Sequence, residues 1–172
     1  MSAPCHPVRH QRYVAIEFSP TSGCLGSIVS VVTDFCRNVV DDPGVKFAFQ
    51  LAAYELTENL VKYAVGDRTR LRIAVESTVR GPELVLSTEN ESTPERLADA
   101  AARLRAAEAA SDPIEHFDQL VRESLATPTE SRLGFGRLRA EGELEVSHEV
   151  SERMIRIQVR RPLRTNEEGK PQ

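Results

Sequence analysis

Glu55, Asn59 and Lys62 stand at i, i+4 and i+7 in a stretch from Val45 to Val65 that contains neither Pro nor Gly. At about 100° per residue, that spacing projects a carboxylate, a neutral amide and an ammonium from one strip of a helix. An amide oxygen is a hard, neutral ligand suited to magnesium. A carboxylate one turn away can orient or deprotonate a hydroxyl or water, and an ammonium can face phosphate. Apolar residues flank the strip on both sides: Phe49, Ala53, Leu56, Leu60 and Tyr63 on one, Phe47, Leu51, Tyr54, Val61 and Val65 on the other. The same spacing also describes a solvated face, with Glu55 and Asn59 hydrogen-bonded and Lys62 reaching water. Spacing alone leaves both readings open.

Other constellations are thinner. Leu133-Gly134-Phe135-Gly136-Arg137-Leu138 offers two glycines whose backbone N–H groups could approach an anion ahead of a helix, though such glycines serve equally well as turn residues. Cys5, His6 and His10 are metal-ligating types without a fourth ligand. Glu115, His116 and Asp118 read as a solvated helix face. No nucleophile elbow, P-loop or dinucleotide fingerprint is present.

The elements that must hold these residues follow from periodicity. Tyr13 to Phe18 alternates as a strand, with Val14, Ile16 and Phe18 on one face. Cys24 to Val40 repeats apolar residues at helical spacing, and Asp41-Asp42-Pro43-Gly44 supplies a turn before the Val45–Val65 helix, which Gly66-Asp67 stops. Leu71–Val79 and Glu83–Ser87 form a hairpin around Arg80-Gly81-Pro82, and 142–148 with 153–160 forms a second. Between them, residues 93–125 read as two helices broken at Ser111-Asp112-Pro113. A strand, two helices, a hairpin, a helical insertion, a glycine loop and a final hairpin make an α+β two-layer sandwich, a mixed or antiparallel sheet covered by helices on one face.

The chain of 172 residues, 40% hydrophobic and 28% charged, suits one domain with a substantial core. Residues 12–161 are assigned to it, with 91–132 as a helical lid or insertion, 1–11 as a flexible N-terminal arm and 162–172 as a flexible C-terminal tail. A formal charge of −4 gives no reason to expect nucleic acid or an anionic membrane as partner. The excess acid is concentrated between Glu91 and Glu123, where eight acids face four arginines. No apolar run reaches the roughly 18 residues that span a bilayer, and the N-terminus lacks the apolar core of a signal peptide, so a cytoplasmic location is expected. Three cysteines, Cys5, Cys24 and Cys36, imply no disulfide framework.

The segment Tyr54-Glu-Leu-Thr-Glu-Asn-Leu-Val-Lys-Tyr-Ala64, with its Glu-x-x-x-Asn-x-x-Lys pattern, resembles the N-box helix of the GHKL superfamily. This superfamily includes histidine-kinase ATPase domains, Hsp90-type ATPases and anti-sigma-factor serine kinases. The order of elements is similar to the Bergerat fold of that superfamily over roughly residues 12–161, with Gly134-Phe135-Gly136 in the place of its second glycine motif. The resemblance implies Mg-ATP as cofactor, Glu55 as general base, Asn59 as magnesium ligand, and Lys62 with the Gly134–Gly136 loop at the phosphates. The family's first glycine box, Asp-x-Gly-x-Gly, has no counterpart: Ser87-Thr-Glu-Asn-Glu-Ser-Thr93 holds neither Asp nor Gly, leaving Thr88, Glu89 or Asn90 as acceptors for an adenine amine. With the helical insertion, this looks most like the stand-alone SiaB-type kinases. The resemblance implies a bacterial-type signalling regulator, an ATP-dependent serine kinase with a degenerate nucleotide site, acting on a small regulatory, STAS-like partner. The alternative is a non-catalytic pseudo-ATPase that binds such a partner.

Overall fold

The computed structural model describes residues 12–126 and 133–164. The expectations for the arm 1–11, for the Cys5, His6 and His10 set, for the Thr127–Arg132 loop and for the tail beyond 164 lie outside the described residues. In chain order the elements are β1 (Tyr13–Phe18), α1 (Leu25–Val39), α2 (Pro43–Tyr63), β2 (Thr69–Thr78), β3 (Gly81–Glu91), α3 (Pro94–Ala109), α4 (Pro113–Ala126), α5 (Gly134–Ala140), β4 (Glu145–Val150) and β5 (Met154–Pro162). The five strands form one sheet in the order β1-β2-β3-β5-β4, antiparallel at every pairing. The structure is thus the expected α+β sandwich, with the sheet antiparallel throughout.

Strand alternation separates the two sheet faces. On the inner face, register places Val14, Ile73, Leu86, Val159 and Val146 in one row across all five strands, and the three central members are wholly buried. Helix α1 contributes Ile28, Val32 and Cys36 to the same core, and α2 contributes Phe49, Ala52, Ala53 and Leu56. On the outer face, the row Glu17, Arg70, Glu89, Arg156 and Glu149 alternates in charge from edge to edge. Opposite charges across a ladder stabilise it modestly and let this face meet water.

Several boundaries differ from the sequence reading, each for a local reason. Helix α2 begins at Pro43 rather than Val45 because Asp42 is its N-cap, its Oδ1 accepting from the N–H groups of Gly44 (2.7 Å) and Val45 (3.3 Å). These bonds, the Gly44 one foremost, hold the Asp42 carboxyl below the usual range. Strand β3 runs to Glu91, well past Ser87, because Thr69 and Arg70 on one side and Met154 to Arg156 on the other continue its ladder. The C-terminal boundary moves too: Leu163, placed in the tail by composition, is buried and donates its N–H to the Pro82 carbonyl (2.9 Å). The second apolar stripe of α2 is divided: Leu51 is in the core and Val61 half-buried, but the large aromatic members are not buried. Phe47 is 54% and Tyr54 43% exposed.

Leu86 sits at the crossing of the apolar row with the central strand. Leu86→Ala should lower the unfolding free energy by about 2–5 kcal/mol in urea titration, with an unchanged m-value, as large-to-small substitutions in unyielding cores do.

Candidate functional site

Along the inner face of β3 the pattern Leu84, Leu86, Thr88, Asn90 passes from apolar to polar without leaving the interior: Thr88 is 2% and Asn90 6% exposed. Register places Leu71 and Ile157 beside Thr88, and beside Asn90 it places Ile155 and Thr69, whose hydroxyl donates to the Phe18 carbonyl (2.9 Å). Buried polar side chains in an apolar row are costly unless they face a partner. These two face a cavity of about 680 Å³. Ile155 and Ile157 complete its floor, Leu56, Asn59, Leu60 and Lys62 of α2 form one wall, and Arg96, Asp99 and Arg103 of α3 form the other. Phe135 of α5 lies across one end. The Asn90 amide nitrogen donates to the Glu91 carbonyl (3.0 Å), which turns Oδ1 into the group that remains to accept. Glu89 points to the outer face, where its carboxylate lies 3.5 Å from Arg156, so of the three acceptors named from sequence only Thr88 and Asn90 reach the cavity.

Asn59 and Lys62 therefore share a wall as their spacing predicts, but Glu55 takes a different place. It is buried beside α5, outside the cavity lining, and Nη1 of Arg137 donates to its Oε1 (3.1 Å). Arg137 is fixed in turn by its Nε bond to Glu141 (2.8 Å). Burial pushes the Glu55 carboxyl above its usual range, opposed by the Arg137 hydrogen bond and charge. Gly134 is what allows this packing: a Cβ there would lie 2.8 Å from Glu55 Oε2 and 3.9 Å from Asn59 Nδ2. Gly136 faces elsewhere. A Cβ on it would lie 2.7 Å from Leu120 Cδ1 and 3.8 Å from the Phe117 backbone, so its bareness seats α4 on α5. Of the glycine loop, Phe135 alone lines the cavity, while Gly134 contacts Glu55 and Gly136 contacts α4.

Lys62 pairs with Glu58 on the helix surface (3.1 Å), an exposed pair of small energetic consequence. Arg103 bonds Asp99 and lies over the Tyr63 ring at 5.8 Å, joining α3 to the end of α2. Ser92 closes the same corner by donating to the Tyr63 carbonyl (2.7 Å). Arg139 reaches the carbonyls of Ala107, Glu108 and Ala110, supplying donors to the open C-terminal end of α3. Sequence reasoning missed Arg137, Arg103 and Arg139. An arginine directly after Gly-x-Gly on the next short helix was the available signal for the first; the others carry none. Among the described residues no group of three His, Cys, Asp or Glu side chains is placed to hold a metal ion, and no helix is long and apolar enough to cross a membrane.

No protein-family model and no curated protein matches the sequence. Among solved structures, the chain is similar to one chain of the SiaB-SiaC complex from Pseudomonas aeruginosa, with a TM-score of 0.63 at 16% identity, covering 86% of this chain and 88% of that one. A likeness at that identity speaks for the fold.

Two outcomes test this geometry. Gly134→Ala should destabilise the protein by displacing Glu55 from Arg137, whereas in a Glu55→Ala background the same substitution should be neutral or stabilising by up to about 1 kcal/mol through helix propensity; equal costs in both backgrounds would refute the contact. A carboxyl with a raised folded pKa gives stability that is present below its unfolded pKa and lost as pH rises through the folded one. Glu55→Gln should therefore gain on the parent in thermal melts as pH is raised from 4 towards 7.

Proposed function

We propose that the cavity binds a magnesium–nucleotide complex and that the chain is a signalling regulator with a histidine kinase-like ATPase (GHKL) fold, transferring phosphate to a small, STAS-like partner protein. The observation that carries this reading is the convergence of Asn59 and Lys62 from α2 with Thr88 and Asn90 from β3 on one cavity. Its size, about 680 Å³, falls in the ordinary range for ligand sites. The apolar floor suits a base, Asn90 Oδ1 suits an exocyclic amine, and Lys62 with Arg96 suits phosphate. A single amide cannot hold magnesium unaided, so the ion fits here as one carried by the nucleotide, with phosphate and water oxygens completing its shell and Asn59 adding one more. Bound Mg-ATP would supply the transferable phosphoryl group; Glu55, one turn from Asn59 on the same strip of the helix, is the carboxylate that would accept a proton from an attacking hydroxyl. That the similar solved chain comes from a two-protein complex supports a protein partner.

A second reading, a pseudo-ATPase that binds its partner without phosphotransfer, is favoured by one observation. Glu55 is tied to Arg137 under Gly134, away from the cavity lining. It keeps the fold and gives up the chemistry.

Isothermal titration with ATP and ADP, with and without magnesium, tests the proposal. Magnesium-dependent binding in the parent, lost in Asn59→Ala, is expected. No heat up to millimolar nucleotide would remove nucleotide from the account and leave the pseudo-ATPase. Transfer of radiolabelled phosphate to a co-purified partner, abolished by Glu55→Gln, would decide for the kinase.

A further inference from the structure

Strand β4 ends the sheet on one side, and among the described residues it pairs with β5 alone. The Ser151 N–H donates to the Met154 carbonyl (2.9 Å) and the Ser92 N–H to the Arg153 carbonyl (3.0 Å). These two bonds set the alternation of both ladders. Glu145, Ser147 and Glu149 turn their backbone groups to β5, whereas Val146, His148 and Val150 turn theirs away from the sheet. Three N–H donors and three carbonyls thus line the free edge. Edges are commonly blunted by Pro, Lys, a bulge or a covering segment; β4 has neither Pro nor Lys, and its register with β5 is unbroken. Beside it, between α3 and the β4–β5 turn, runs a groove of about 470 Å³ lined by Leu97, Ala98, Ala101 and Arg105 on one side and by Val150 and Glu152 on the other. The contact of His148 with Glu108 (2.6 Å) fixes one end of the groove at the last turn of α3, and the Ser92–Arg153 bond fixes the other at its first turn. Arg105 therefore lies towards one end and Glu152 at the opposite one, and neither has an ion-pair or hydrogen-bond partner among the described residues.

We propose that this edge and groove take up an extended segment of a partner protein, added antiparallel to β4, with a small aliphatic side chain facing α3 between a basic residue and an acidic one. Backbone and charge together select that occupant. Donors and acceptors at every second residue of β4 match the backbone of another strand, and alternate side chains of that strand supply specificity. The residue opposite His148 gives its N–H and C=O to the edge and points its side chain the same way as His148, to the α3 side of the sheet. Ala98 and Ala101 present only methyl groups there, which leaves space for a β-branched side chain. From Pro94 to Arg105 the groove is about 16 Å long, on the helical rise, room for about five extended residues. A segment antiparallel to β4 enters beside Glu152 and leaves beside Arg105, so complementarity asks for a cation early and an anion late. A second copy of β4 fits less well, since its residues on that face, Val146, His148 and Val150, bring no carboxylate to Arg105 and no fixed cation to Glu152. The inference is independent of whether the cavity binds nucleotide.

The test uses the full chain and the fluorescein-labelled peptide Thr-Lys-Thr-Val-Thr-Glu-Thr, capped at its C-terminus as the amide, with binding read by anisotropy and amide exchange read residue by residue by NMR. Saturable, sub-millimolar binding is expected, slowing exchange at Val146, His148 and Val150. The peptide N-methylated at its valine, whose N–H faces His148, should not bind, whereas N-methylation of the threonine that follows, whose N–H faces away, should be tolerated. Exchanging the lysine and glutamate of the peptide should weaken binding, and Arg105→Glu, an exposed substitution whose folding a thermal melt verifies, should weaken binding of the first peptide by about two- to fivefold, the scale of an exposed ion pair. No saturable binding, equal binding of the two N-methylated peptides, or an Arg105→Glu variant indistinguishable from the parent would each overturn the proposal. Protection of the same three amides without peptide, growing with protein concentration, would assign the edge to a second copy and overturn it as well.

Discussion

Everything at the site is referred to one constraint, the rotational setting of α2. Phe49, Ala52, Ala53 and Leu56 are buried to within 1% of completeness, and close-packed interiors do not let such a helix roll by a few tens of degrees without opening voids. With that face fixed, Asn59 and Lys62 must point along the cavity wall, Glu55 must turn towards α5, and Phe47 and Tyr54 must face outwards. Glu55, Asn59 and Lys62 share one strip of that cylinder and part company along its axis, Glu55 beside α5 and the other two beside the cavity, while Phe47 and Tyr54 occupy another strip; core packing decides all of these together.

The cavity is equally a consequence of the sheet. Its inner face is apolar over β1, the Leu71–Ile73 part of β2 and the Leu84–Leu86 half of β3, then turns polar at Thr69, Thr88 and Asn90 while staying enclosed. The antiparallel partners offer little compensation, since Leu71, Ile157 and Ile155 are apolar and Thr69, beside Asn90, donates its hydroxyl to the Phe18 carbonyl. Enclosure comes from α3, which Arg139 secures at its C-terminal carbonyls and Arg103 secures at Tyr63. The long insertion therefore provides one wall of the cavity, and the short α5 wedged between α2 and α4 provides the end.

The strands, the helices and the sandwich were legible because their apolar periods of about two and 3.6 are local properties of the chain. Asn59 and Lys62 were legible for the same reason, as one turn of one helix sets their separation. The partner of Glu55 was not, because Arg137 lies 82 positions away and the pairing exists only once α5 has docked. The two glycines were placed near the site but given one role, whereas their bareness serves Glu55 and α4 respectively. Thr88 and Asn90 were named without a means of choosing between them and Glu89. That choice required knowing that β3 continues to Glu91, after which alternation alone turns Glu89 away. The Phe47–Val65 stripe shows the limit most plainly: its period is evident from sequence, yet period does not say whether water or protein lies opposite.

The outer row from Glu17 to Glu149 alternates in sign across all five strands, so its field largely cancels within a few ångströms of the surface. The acid excess resides instead on the helical side, between Glu91 and Glu123. The local excess of four negative charges there equals the formal charge of the whole chain. On a positively charged chromatographic matrix or biosensor surface it should adsorb helices first, leaving the flat sheet facing solvent as the accessible side of the immobilised protein.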